Sequence, residues 1–260
     1  MRLIPGSALT CTAVALIALS GRGDPSPQPR GDAPGPITAE QLRKSAKNLE
    51  RIALALHYYQ DARGALPTNQ LSGERKPLLS WQVQILAFIE RERPPFPPPV
   101  PGTPTVIEYD RLFQAFKLDE PWDSEQNQRL IDRMPEVYAP IRGKAGPGLT
   151  FYQAFGGSNG WLRPGARLVT SFPDGTSNTF LVAEAARPVV WTKPDDLAFD
   201  GKDVPALGGM FEGKFHAVMG DASVRRFRKG VAAATLRLLI DPADGLPLPD
   251  DIGLDTEERM

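Results

Sequence analysis

Four carboxylates fall within seven residues, where Asp119, Glu120, Asp123 and Glu125 surround the pair Pro121-Trp122. A hard cation such as calcium takes about six to eight oxygen ligands, so a dense carboxylate run is where one would be sought. The spacing is not that of an EF-hand loop, and no glycine supplies the sharp turn such a loop needs. The stretch therefore reads as a turn followed by a capped helix, with Trp122 plugging the core and Asp123 as the cap. No metal is assigned to it.

The run Asp174-Gly175-Thr176-Ser177-Asn178-Thr179 is rich in side chains that hydrogen-bond their own backbone, and it predicts a tight turn launching a strand. Ser177 lacks the following glycine of a nucleophile elbow. No lysine follows to complete a phosphate-binding loop. His57 and His216 are the chain's two histidines, hence the two available bases for a Ser/His/Asp triad. His57 lies on a helix flank, and His216 alternates with Phe215 and Ala217 on a strand. No second motif supports either as a base, so both read as hydrogen-bonded or interfacial histidines. No catalytic residue is assigned.

Glu184 follows an apolar strand, and Trp191 opens a polar loop containing Asp195 and Asp196. Carboxylates beside an indole suit a cationic or sugar ligand. These four form the candidate ligand or partner surface, with pairing of Glu184 to an arginine as the plainer account. Arg225, Arg226, Arg228 and Lys229 make a basic strand end, read as a solvated edge that discourages strand addition. Pairing with the acidic residues of 241–260 is the alternative.

The 260 residues carry 30 Lys+Arg against 31 Asp+Glu, so no overall basic field exists to hold nucleic acid. A single cysteine, Cys11, excludes a disulfide framework and a Cys/His zinc cluster. Met1-Arg2 followed by the mostly apolar run 9–20 has the layout of a secretory signal peptide, and the run is too short to span a bilayer. Leu19-Ser20-Gly21 matches the first three positions of a lipoprotein signal, but Arg22 stands where the lipidated cysteine must be. Residues 1–21 are thus expected to direct export to the periplasm, cell envelope or exterior without lipidation. Residues 22–37 hold five prolines and read as an extended tether.

The elements that must position these groups follow from periodicity. Thr38 and Gln41 form a capping box, and Leu42, Ala46, Leu49, Ala53 and Leu56 mark one face of a long amphipathic helix ending at Gly64. A second helix is expected over 80–91 with Ser80 as N-cap and Trp81 on its apolar face. A proline-rich insertion follows at 94–104, then helices over 108–118 and 123–134. Strands are expected at 149–154, 166–170, 178–184, 188–192, 208–212, 214–219 and 222–228. Gly220-Asp221 is the turn of a hairpin between the last two. A short helix, 231–240, precedes an acidic segment, 241–260, whose seven acids make a folded tail unexpected. Helices first and an antiparallel meander second is α+β architecture, with the main domain at 38–230 and the short helix and tail at 231–260.

Several segments, taken in order, resemble one family. They are 48–59 with Gly64-Ala65-Leu66-Pro67, 80–86 with Ile89-Glu90, 109–113, 116–127, 174–179 with Val182-Ala183-Glu184, 191–196, and 220–224. The chain from about 45 to 230 is thereby similar to the planctomycete exported proteins that carry domain of unknown function 1559, also labelled a family-10 solute-binding-like domain. The resemblance implies an α+β head like that of the pseudopilins of type II secretion and type IV pili. The chain departs from that pattern in having no prepilin cleavage motif and no apolar twenty-residue helix. What the resemblance implies is therefore the globular head rather than the filament. The expected role is an exported, non-enzymatic protein with no cofactor, no nucleic-acid partner and no membrane span beyond the leader. An envelope protein or a glycan is the expected partner, and a solute- or glycan-binding module is the alternative role. An aromatic-lined groove would favour that alternative. Converging Ser, His and carboxylate side chains would favour a hydrolase.

Overall fold

The computed structural model describes residues 35–74, 76–89, 106–143 and 145–255. The stretch expected to be a signal peptide, most of the expected tether and the proline-rich insertion lie outside them.

Helix α1, Ala39–Arg63, starts where the sequence predicts. The Gln41 N–H donates to Thr38 Oγ1 and the Thr38 N–H donates to Gln41 Oε1, each at 3.1 Å, so the capping box satisfies two otherwise orphaned donors. Gly64 ends the helix at φ 78°, a left-handed conformation that side chains resist, and its N–H donates to the Gln60 carbonyl. Ser45, Asn48, Leu49, Ile52, Ala53, Ala55 and Leu56 are buried along one stripe. That stripe lies on a five-stranded sheet.

The strands are β1 (Leu149–Gly156), β2 (Phe180–Val190), β3 (Leu197–Ala198), β4 (Lys214–Met219) and β5 (Val224–Arg228), in the spatial order β3-β1-β2-β4-β5. Pairs β1·β2, β2·β4 and β4·β5 are antiparallel, whereas β3 joins β1 in parallel. The sheet is therefore mixed rather than purely antiparallel. Two expected strands are absent. Val169 has φ 73°, which breaks any extended run over 166–170, and the Ser171 N–H turns back to the Arg167 carbonyl. Residues 208–212 touch the sheet through Gly208 and Gly209 N–H bonds to the carbonyls of Glu184 and Ala185, but left-handed glycines at 208 and 213 stop them extending. The stretch expected as strand 188–192 is the end of β2 as far as Val190.

The short helices are α2 (Trp81–Gln84), α3 (Val106–Ala115), α4 (Glu125–Gln128) and α5 (Ala233–Ile240). The helix expected over 80–91 is a single turn, tightening at Ile85 into a 3₁₀ turn over Leu86–Phe88. The helix expected over 123–134 is likewise α4 followed by a 3₁₀ turn at Ile131–Arg133.

One face of the sheet receives α1. The other carries an aromatic cluster in which Phe180 meets Phe155, Phe215 and Phe227, and Phe215 stacks on Phe227 at 5.3 Å. Among the described residues no helix is long and apolar enough to cross a membrane.

Candidate functional site

The pairing Tyr152↔Glu184 puts these two side chains on the same face of β1 and β2, and His216 on β4 joins them. Helix α1 lowers Ser45 and Asn48 onto them. Tyr152 Oη lies 2.8 Å from Ser45 Oγ, and Ser45 Oγ donates to Glu184 Oε1 at 2.5 Å. Because the serine proton goes to the carboxylate, the tyrosine hydroxyl is the donor in the first of these bonds. Glu184 Oε1 also accepts from His216 Nδ1, and Oε2 accepts from the His216 main-chain N–H, each at 2.9 Å. Asn48 Nδ2 donates to Tyr152 Oη at 3.5 Å. Burial, reinforced by the negative charge of Glu184, pushes the Tyr152 hydroxyl above its ordinary value, so it stays protonated as a donor. All five residues are buried, with Ser45, Tyr152 and Glu184 at zero exposure.

This constellation was not foreseen. Glu184 pairs with His216 and Ser45 rather than with an arginine. Ser45 sits one helical turn before Leu49 on an apolar stripe, and a lone serine there carries no sequence signal. Ser, Glu and His do converge, but the serine proton faces the carboxylate rather than the imidazole. No nucleophile–base pair of the triad kind is formed.

Trp191 is equally buried. Its Nε1 donates to the Ile131 carbonyl at 2.8 Å, and its ring stacks on Tyr138 and meets Phe116 edge-on. Asp195 is exposed and pairs with Lys193 at 2.7 Å. Asp196 turns inward instead, accepting from Trp81 Nε1, Asn69 Nδ2 and the Ala154 N–H, each at 2.9 Å. Its desolvation raises the carboxyl above its ordinary value, against the pull of those three donors. Glu184, Trp191, Asp195 and Asp196 therefore form no common surface. Two are core and one is a strut between Trp81 and β1.

His57 Nε2 donates to the Gly220 carbonyl at 2.9 Å, fastening α1 to the β4–β5 turn. That turn is the expected hairpin. The Met219 N–H reaches the Ser223 carbonyl, Asp221 Oδ1 accepts from the Ser223 N–H and hydroxyl, and Ala222 closes the loop at φ 66°. The turn at 174–179 docks beside it. Asn178 Nδ2 bonds the Asp174 carbonyl, Thr179 Oγ1 bonds that of Gly175, and the Asp221 N–H bonds that of Thr176. Ser177 is exposed in this turn.

The acidic stretch is organised by a residue the sequence did not flag. Asn127 is fully buried; its Oδ1 accepts from the Lys117 N–H, and its Nδ2 donates to the carbonyls of Lys117, Glu120 and Pro121. The cap of α4 is Ser124, whose hydroxyl accepts from the Asn127 N–H, and not Asp123. The serine is the residue next to the helix, with its oxygen within reach of the third N–H. Trp122 is half-buried rather than a core plug. Lys193 Nζ lies 5.7 Å from its ring centre. It lines an open groove of about 600 Å³ together with Ser72, Glu74, Lys76, Asp119 and Asp123. Among the described residues, no group of three or more His, Cys, Asp or Glu side chains is placed to hold a metal ion.

Residues 43–93 match the model of a family described as a protein of unknown function, DUF1559. That match supports the domain family over α1 and α2, the stretch that supplies Ser45, Asn48, Leu49, His57 and Trp81. No curated protein and no solved structure matches the chain.

Proposed function

We propose that the chain is an exported, non-enzymatic protein of the cell envelope or exterior, acting through contacts of its surface in the manner of a pseudopilin-like head. The leader-like run at 9–20 supports export. The non-enzymatic reading rests on one observation. Ser45, Glu184 and His216, the natural place to look for acid–base chemistry, are closed beneath α1 with their protons committed to one another. A substrate carbonyl would need α1 lifted from the sheet to reach Ser45. The long helix laid across a meander supports the pseudopilin-like comparison.

The test joins location to reactivity. Alkaline phosphatase fused after residue 260 should be active in intact cells and lose activity when residues 1–21 are deleted. A fluorophosphonate probe should leave Ser45 unlabelled in the folded chain. Labelling that disappears in Ser45→Ala would overturn the non-enzymatic reading, and a leader-independent fusion would overturn export.

The Trp122 groove favours a second reading, a solute- or glycan-binding module. Its half-exposed indole, rimmed by Asp119, Asp123 and Glu74, suits a sugar face or a cation. Saturable quenching of tryptophan fluorescence by an oligosaccharide, abolished in Trp122→Ala, would establish it.

A further inference from the structure

Strand β5 ends the sheet, and its outer edge is occupied. Residues 251–255 run along it. The Arg228 N–H donates to the Gly253 carbonyl and the Asp255 N–H to the Arg226 carbonyl, each at 2.9 Å, which sets Leu254 opposite Phe227. Ionic contacts mark both ends. Asp255 Oδ2 takes Arg226 Nε at 2.9 Å and Lys214 Nζ at 3.0 Å. Arg228 Nη2 reaches both oxygens of Asp251, at 3.0 and 2.8 Å. Gly253 stands at φ 82°, and a Cβ there would come within 2.4 Å of Val231 Cγ2. The basic strand end read as a solvated edge is therefore covered, and the acidic segment read as unfolded is ordered against it as far as residue 255.

We propose that the β5 edge is a strand-accepting site, held in cis by residues 251–255, and that it takes the same residues from a second copy of the chain. Strand addition supplies main-chain bonds to any sequence, and specificity comes from the side chains that flank them. Here the requirements are narrow: two aspartates four apart, a glycine two before the second, and just before that glycine an apolar residue, Ile252, which packs on the core while Leu254 stays exposed. Asp251-Ile252-Gly253-Leu254-Asp255 meets them, and a second copy carries that segment in matching register. The segment hangs from a hinge suited to exchange. Gly245 is tied to Asp174 by its N–H, whereas residues 246–250 include Pro247 and Pro249, which cannot donate to a ladder, and are largely exposed. Five residues reach at most roughly 17 Å, so exchange links two closely apposed bodies rather than distant ones.

The experiment uses the full chain as acceptor. Asp251→Asn with Asp255→Asn weakens the resident strap and leaves Arg226, Arg228 and Lys214 in place. This chain should bind a labelled wild-type peptide of residues 249–257 about tenfold more tightly than the wild-type chain does, as loss of one or two charge-assisted bonds from the competitor implies. Adding Arg226→Ala and Arg228→Ala should abolish that binding. In a second arm, deletion of residues 247–249 shortens the hinge so that the strap no longer reaches its own strand. Native mass spectrometry should then show dimers that excess peptide dissociates. Peptide binding no tighter to the double-Asn chain than to wild type would overturn the site, and a shortened-hinge chain that stays monomeric would overturn the exchange.

Discussion

Glu184 and His216 meet across β2 and β4 with one edge of the histidine, Nδ1 and main-chain N–H together, turned onto a single carboxylate at 2.9 Å. Ser45 and Tyr152 complete the set from α1 and β1. A fully buried carboxylate is tolerated because its oxygens accept three bonds, and each donor is in turn held by the fold. The network therefore fixes where α1 lies on the sheet, since sliding the helix by one turn would move Ser45 off both partners.

Removing one member should show this. Glu184→Ala strands the His216 N–H and Nδ1 in a buried interior and leaves the Ser45 hydroxyl with Tyr152 alone, and should lower the unfolding free energy by about 3–5 kcal/mol. Ser45→Ala removes the link between Tyr152 and Glu184 and should cost about 1–3 kcal/mol. Urea denaturation reads both. An unchanged midpoint for Ser45→Ala would mean that the hydroxyl contributes nothing to the docking of α1.

Trp81, Trp191 and Trp122 should separate by burial. Trp81 and Trp191 are fully enclosed, each with its Nε1 bonded, and alanine at either should cost about 3–5 kcal/mol. Trp122 lies half-open in its groove under Lys193, so Trp122→Ala should cost roughly 1 kcal/mol. Thermal melts of the three variants test the order. A Trp122 variant as unstable as the other two would restore the core role that its sequence context suggests.

Local rules carried the sequence reading where neighbours in the chain decide the structure. The Thr38–Gln41 capping box, the Gly64 stop, the α1 stripe and the 220–223 hairpin are all set within a few residues, and each is found. What was illegible depends on distant partners. Glu184 looked like the end of an apolar strand, and nothing nearby revealed that α1 would bring Ser45 to it. Trp191 beside acids resembled a ligand platform until Tyr138 and Phe116 closed over the ring. Asp123 and Ser124 both have cap chemistry, and only the position of the Asn127 N–H chooses between them. The segment 241–260 was judged by its own charge, although Arg226, Arg228 and Lys214 neutralise part of it from 23 to 41 residues away.

Among the described residues, two that bear side chains sit in left-handed backbone, Ala222 at φ 66° and Val169 at φ 73°. That conformation costs an L-residue about 1–2 kcal/mol. Glycine relieves it and gives back about 0.5–1 kcal/mol in unfolded-chain entropy. Ala222→Gly and Val169→Gly should therefore each stabilise by about 0.5–1 kcal/mol. Val169 is 74% exposed, so little packing is lost with its side chain. Gly64→Ala, at a similar φ of 78°, should act in the opposite direction. Calorimetric midpoints decide; a lower midpoint for Val169→Gly would show that its isopropyl group makes a contact worth more than the strain.

Asp196 gives the pH prediction. Desolvation raises its folded-state carboxyl above the ordinary 3.8, despite the bonds from Trp81, Asn69 and Ala154. The folded protein thus holds this proton more tightly than the unfolded chain does. Stability rises with pH where the unfolded state binds more protons, and at this residue it binds fewer. The contribution of Asp196 therefore falls as pH climbs through 3.8 towards the raised value, and is constant above it. Asp196→Asn removes the titration and keeps an oxygen for Trp81 Nε1 and the Ala154 N–H; its amide then faces the Asn69 Nδ2 donor, a cost that does not depend on pH and so leaves the slope unchanged. The unfolding free energy of wild type minus that of the variant should then increase on acidification from about pH 6 to about pH 4, a window set by ordinary carboxylate titration. Glu136, Asp200 and Asp251, whose carboxyls are lowered by Lys44, by main-chain N–H groups and by the Gly253 N–H with Arg228, change stability in the opposite sense. They are common to both proteins and cancel in the difference. Urea titrations at four or so pH values supply it. A difference that stays flat would show that the three bonds to Asp196 fully offset its burial, and one that shrinks on acidification would show that they outweigh it.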